Sequence, residues 1–101
     1  MAVNILAIGR HDSALKQIER ALKLRKFKVT GCKSDEDALS KIKNQHFDAL
    51  LLASEMKLES KAIFKQFTRE QRPGLPVIEM NGSTDRLAEE IEAALLDVRV
   101  T

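Results

Sequence analysis

Short apolar runs alternate with amphipathic stretches along the whole chain. Val3 to Ile8 (VNILAI) is a β-branched and apolar run closed by Gly9, which predicts a buried strand. From His11 to Arg25, Leu15, Ile18 and Leu22 recur at helical spacing with Ala14 and Ala21 beside them, and Asp12 or Ser13 can cap the start. Phe27 to Thr30 reads as a second strand stopped by Gly31. Ser34 followed by Asp37 approaches a capping box, and Ala38, Leu39 and Ile42 form the stripe of the helix it opens. Phe47 to Ala53 (FDALLLA) is the most apolar run. Its lack of alternation predicts a central parallel strand covered on both faces. Glu59 to Gln71 places Ile63 and Phe67 on one helical face with Phe64 flanking, and Arg72-Pro73-Gly74 ends it. Leu75 to Met80 is a fourth strand stopped by Asn81-Gly82. Ser83 or Thr84 then caps a last helix bearing Leu87, Ile91, Ala94 and Leu95.

The order β-α-β-α-β-α-β-α predicts a parallel sheet with right-handed crossovers between helical layers, a three-layer α/β/α sandwich. Val98 to Thr101 either add a short fifth strand beside the fourth or form a tail, and the tail is the preferred reading. No repeat, linker or low-complexity stretch divides the chain, so residues 1–101 are read as a single domain. At 101 residues it is long enough for one modest core without staples.

Composition narrows the chemistry. Hydrophobic residues make up 44% and charged residues 32%, as in ordinary globular domains. The longest unbroken apolar run, Ala49 to Ala53, is far too short to span a membrane, and Gly9, Arg10 and His11 break up any signal-peptide pattern. The single Cys32 makes neither an internal disulfide nor a zinc site, so a cytoplasmic setting is expected. Net charge is +2, too small to argue for nucleic acid, but it is unevenly spread. Met1 to Lys33 holds eight Lys/Arg against two Asp/Glu, and Pro73 to Thr101 holds two against six. Such asymmetry either drives association or merely reflects helix surfaces of different sign. The cluster Lys16, Arg20, Lys23, Arg25, Lys26 and Lys28 has no Trp or Tyr beside it, and reads as the outer face of the first helix rather than a single-strand platform.

Four stretches together resemble the receiver domain of two-component response regulators, the CheY-like, flavodoxin-like fold. They are Val3–Asp12, Gly31-Cys32-Lys33-Ser34-Asp35-Glu36-Asp37-Ala38-Leu39, Phe47-Asp48-Ala49-Leu50-Leu51-Leu52, and Leu75-Pro76-Val77-Ile78. The resemblance implies strand order 2-1-3-4, with the receiver's fifth strand lost or vestigial. It also locates the phosphorelay positions at the carboxyl ends of the strands. The acidic pair that holds Mg²⁺ in receivers falls on Gly9 and Arg10, and the phosphoacceptor falls on Ala53. A one-residue shift would put Ser54 there instead. The Thr/Ser position falls on Asn81, and no lysine follows Lys65. Each position departs from the receiver pattern.

The expectation is therefore a degenerate pseudo-receiver: no enzyme, with no metal and no cofactor. It would work in signalling by binding another protein, and would form at most a weak homodimer. The alternative is a small-ligand or anion sensor built on the old pocket, with Gly9, Arg10, His11, Ala53, Ser54 and Asn81 as contact positions and Ser83 nearby. Against that stands the plain reading of solvated loop residues and helix caps. Cys32 is expected to be an unreactive strand-end thiol and His46 a surface residue. No Ser-His-Asp set, phosphate loop, CxxC or HExxH motif is present.

Overall fold

The computed structural model describes residues 3–23, 25, 27–80 and 86–100. Strands and helices alternate as β1 (Val3–Ile8), α1 (Asp12–Lys23), β2 (Phe27–Cys32), α2 (Asp35–Asn44), β3 (Ala49–Leu52), α3 (Leu58–Gln71), β4 (Val77–Glu79) and α4 (Leu87–Val100). The sheet has the order β2-β1-β3-β4 and every pairing is parallel. This is the α/β sandwich expected from the pattern.

The central strands are apolar throughout because they serve two cores. Ile5, Ala7, Ala49 and Leu51 point to one face, where Leu15, Ile18 and Leu22 of α1 meet Leu87, Ile91 and Leu95 of α4. Leu6, Ile8, Leu50 and Leu52 point to the other, against Ala38 and Ile42 of α2 and Phe64 of α3. All four residues of β3 are fully buried. A strand with helices on both sides has no solvent face on which to place polar residues.

Local chemistry sets the boundaries. Ser34 caps α2, its Oγ accepting the Asp37 N–H at 3.5 Å. β2 does not stop at Gly31 but runs on to Cys32, since Gly31 pairs with Ala7 and the Gly9 N–H donates to the Cys32 carbonyl. β3 begins only at Ala49, because the Asp48 carboxylate accepts the Asn4 N–H at 2.7 Å and ties the start of β1 to the loop before β3.

Two expectations are corrected. The inward stripe of α3 is Phe64 and Thr68, with Phe67 partly buried beside them, while Ile63 is 57% exposed. The sheet-facing stripe is thus shifted by one residue, a rotation of about 100° about the axis. Val98–Val100 form neither a fifth strand nor a tail, because α4 continues through them. Four strands make up the sheet among the described residues, and Thr101 lies outside them. The proposed Ser83 or Thr84 cap also lies outside.

Candidate functional site

The strand order reverses between β1 and β3, so the crevice where ligands bind in such sheets opens beyond Ile8 and Leu52. The Ala53 N–H donates to the Ile8 carbonyl at 2.9 Å, bringing the two loop starts together. Gly9 and Ala53 therefore touch. A Cβ at Gly9 would lie 3.2 Å from the Ala53 methyl and 3.3 Å from Leu15 Cδ2, which explains why the smallest residue stands there. Both positions are buried, and Ala53 is only 1% exposed. At the floor of the crevice there is a methyl group packed on a glycine.

Arg10 and His11 do not line the crevice as a pair. The Arg10 guanidinium turns toward the amino end of α2, donating to the Lys33 carbonyl at 2.9 Å and pairing with Asp35. His11 is exposed at the amino end of α1, and Ser54 is exposed beyond Ala53. Asn81 and Ser83 lie outside the described residues.

A residue not singled out in the sequence occupies the gap. Glu55 Oε1 accepts the Arg10 main-chain N–H at 2.9 Å and would sit 3.0 Å from a Cβ on Gly9. Its carboxylate thus fills the space over Gly9 and satisfies an amide just ahead of α1, where a helix amino end favours negative charge. Topology was the available signal: a residue two beyond Ala53 follows β3 at the same sheet end as the loop after β1.

The fit of Mg²⁺ can be tested on these residues. A hard cation takes about six oxygen ligands, several of them carboxylates. Among the described residues the crevice offers one carboxylate, already bonded to an amide, and no group of three metal-ligating side chains occurs among them. The residues present do not fit the ion.

Around the site the titratable groups are held in ordinary structural pairings. Burial, and then the neighbouring Asp37 carboxylate, push the Cys32 thiol above its usual value. Its Sγ donates to Asp37 Oδ2 at 3.3 Å. That contact and Lys41 together hold Asp37 below the usual carboxylate range. The hydrogen bond and charge of Lys33 do the same for Asp12. His46 is exposed, 3.5 Å from Asp48.

The architecture is that of a CheY-like receiver domain. A receiver domain protein (CheY-like) from Methanospirillum hungatei superposes with a TM-score of 0.82 at 16% identity, covering 99% of this chain and 98% of that one. The signal receiver domain of an HD domain-containing protein from Pseudomonas fluorescens gives 0.82 at 10% identity, with both chains covered completely. A structure described as adenylate cyclase from Rhodopirellula baltica gives 0.80 at 18% identity, over 99% and 92%. No protein-family model matches the sequence, and no curated protein does. At these identities the likeness establishes the fold.

Proposed function

We propose that this chain is a receiver-fold domain without phosphoryl chemistry, acting in signal transduction as a protein-interaction or regulatory module. The observation that carries the reading is the crevice floor. Ala53, on which the receiver resemblance sets the acceptor position, is buried against Gly9, and Glu55 closes the space above. An alanine methyl cannot take a phosphoryl group, and the remaining carboxylate is engaged by an amide. An anion sensor at the same place would need the Arg10 guanidinium and the amide before α1, and both are already occupied by carboxylates of the same chain. With chemistry and ligand both disfavoured, binding surfaces are what the fold has left to offer, and the natural partner is another protein, met in the cytoplasm.

The test is incubation with acetyl phosphate and Mg²⁺ followed by intact-mass measurement. The expected result is no mass increase. Addition of one phosphoryl group would overturn the reading.

A further inference from the structure

The four-stranded sheet leaves β4 as an edge, and the hydrogen-bond register shows which groups it exposes. The Pro76 carbonyl accepts from Leu50 N and the Met80 N–H donates to the Leu52 carbonyl, both at 2.9 Å. In a parallel ladder, residues alternate between facing one neighbour strand and the other. Pro76, Ile78 and Met80 thus turn their main-chain groups to β3. Val77 and Glu79 turn theirs outward, where no hydrogen bond among the described residues uses them. The outward groups are therefore two N–H donors and two C=O acceptors.

The side chains along this edge carry both signs of charge. Glu79 pairs with Lys65 of α3 at 2.9 Å. Below that pair, a groove of about 250 Å³ runs between α3 and β4, lined by Lys65, Thr68, Arg69, Pro73, Leu75 and Val77. Arg69 has no ionic or hydrogen-bonding partner among the described residues. Thr68 is 1% exposed, and its hydroxyl is without a hydrogen-bond partner among the described residues. A buried hydroxyl without a partner is uncommon in folded proteins.

We propose that β4 pairs with β4 of a second copy, antiparallel, about a two-fold axis through Ile78. The register follows from the edge itself. With Ile78 on the axis, Val77 of each copy stands opposite Glu79 of the other. These become hydrogen-bonded pairs, so all four outward groups of each edge are used at once. Directly opposed residues point to the same face of a sheet. The Glu79 side chain of one copy is thereby delivered beside Val77 of the other, into the groove that holds the free Arg69 and the unpartnered Thr68 hydroxyl. Two-fold symmetry repeats the contact, giving a closed, self-complementary interface. The β2 edge lacks this complementarity: the strand carries Lys28 and no carboxylate, so a two-fold pairing there brings no opposite charges together. Self-pairing at β4 deepens the interaction role proposed above and rests on it.

Sedimentation of the intact protein from about 10 µM to 1 mM tests the pairing. Wild type is expected to form a concentration-dependent dimer that loosens with salt, since the Glu79–Arg69 contact is solvent-screened. Arg69→Glu and Glu79→Arg are each expected to weaken dimerisation at least about tenfold, because each sets like charges against each other at both symmetric contacts. An equimolar mixture of the two variants restores opposite charges at both contacts and is expected to regain the dimer as a heterodimer. Val77→Pro, which deletes an outward N–H that β3 does not use, is expected to stay folded and monomeric. A wild type that remains monomeric at the highest concentration overturns the pairing. So does a dimer undiminished by Val77→Pro, or a variant mixture that fails to reassociate. A monomer that also resists acetyl phosphate would remove the pairing and leave the interaction role standing, whereas phosphorylation would remove the role whatever the oligomeric state.

Discussion

Removal of the Glu55 carboxylate is the most direct probe of how the crevice is closed. Glu55 is an exposed residue making one charge-assisted bond, 2.9 Å from the amide of Arg10. Loss of a side-chain acceptor from an amide near a helix start costs about 0.5–2 kcal/mol, and an exposed position belongs near the middle of that range. For a domain of this size, each 1 kcal/mol moves the melting temperature by about 4–8 °C, which is the drop expected for Glu55→Ala. Glu55→Gln keeps an oxygen acceptor and loses only the charge at the amino end of α1, a loss of about 0.3–1 kcal/mol, so it should fall between wild type and alanine. Thermal melts followed by circular dichroism at 222 nm report both. Added inorganic phosphate at about 10 mM should leave the wild-type midpoint unmoved, because a ligand raises it only by binding the folded state. Two results would refute the reasoning. Either Glu55→Ala melts with wild type, so that the carboxylate supports nothing, or phosphate stabilises wild type by several degrees, so that the crevice is an anion site after all.

Leu51 is fully buried in β3, flanked in the sheet by Ala7 and Ile78, so Leu51→Ala should cost about 2–5 kcal/mol by chemical denaturation. A mutant of unchanged stability would contradict the central placement of β3. Ala53→Asp should be destabilised and still unphosphorylated by acetyl phosphate, since it buries a carboxylate beside Glu55 without restoring metal ligands; a phosphorylated product in the mass spectrum would contradict this. Cys32 should react with iodoacetamide well below the rate of a free thiol at the same pH, because burial and Asp37 raise its pKa; alkylation at the free-thiol rate would argue against the buried position. The folded-state pKa of Asp37 is depressed by Cys32 and Lys41, so its contribution is present above the unfolded carboxylate value and lost as pH falls through the folded one. Asp37→Asn should therefore flatten the acid limb of the melting-temperature profile below about pH 4.

Periodicity made the elements legible because each served a buried surface. The unbroken apolar run around β3 announced two covered faces, and Ser34 with Asp37 announced the start of α2. Its limits have physical causes. The pattern could not show that α3 faces inward through Thr68, because a threonine on the buried stripe looks polar. Nor could it separate helix from strand at Val98–Val100, where a short alternating apolar segment fits either. At the site, the small residues Gly9 and Ala53 were visible as residue types. The tertiary placement of Arg10 and Glu55 was not, since Arg10 meets Asp35 across 25 residues and Glu55 across 45. A bonded pair so distant in the chain leaves no local spacing to read.

The uneven charge of the chain bears on where a second copy would dock. A basic first helix and an acidic last helix suggest two copies joined helix to helix. In the fold, though, α1 and α4 lie side by side over one core, and Arg25 meets Glu92 at 3.1 Å within a single chain. Arg10 is likewise taken by Asp35, and Lys33 by Asp12. Exposed pairs of this kind contribute at most about 1 kcal/mol each, but they remove part of the complementarity that a helix-to-helix dimer would need. The edge of β4 differs in kind. Its outward donors and acceptors have fixed directions and spacing, which mobile surface charges cannot match and another strand can. An association driven by net charge would be relieved by any polyanion or salt, whereas one built on the β4 ladder keeps its geometric requirement at all ionic strengths. Salt should therefore weaken the dimer without abolishing it, while Val77→Pro abolishes it at low salt.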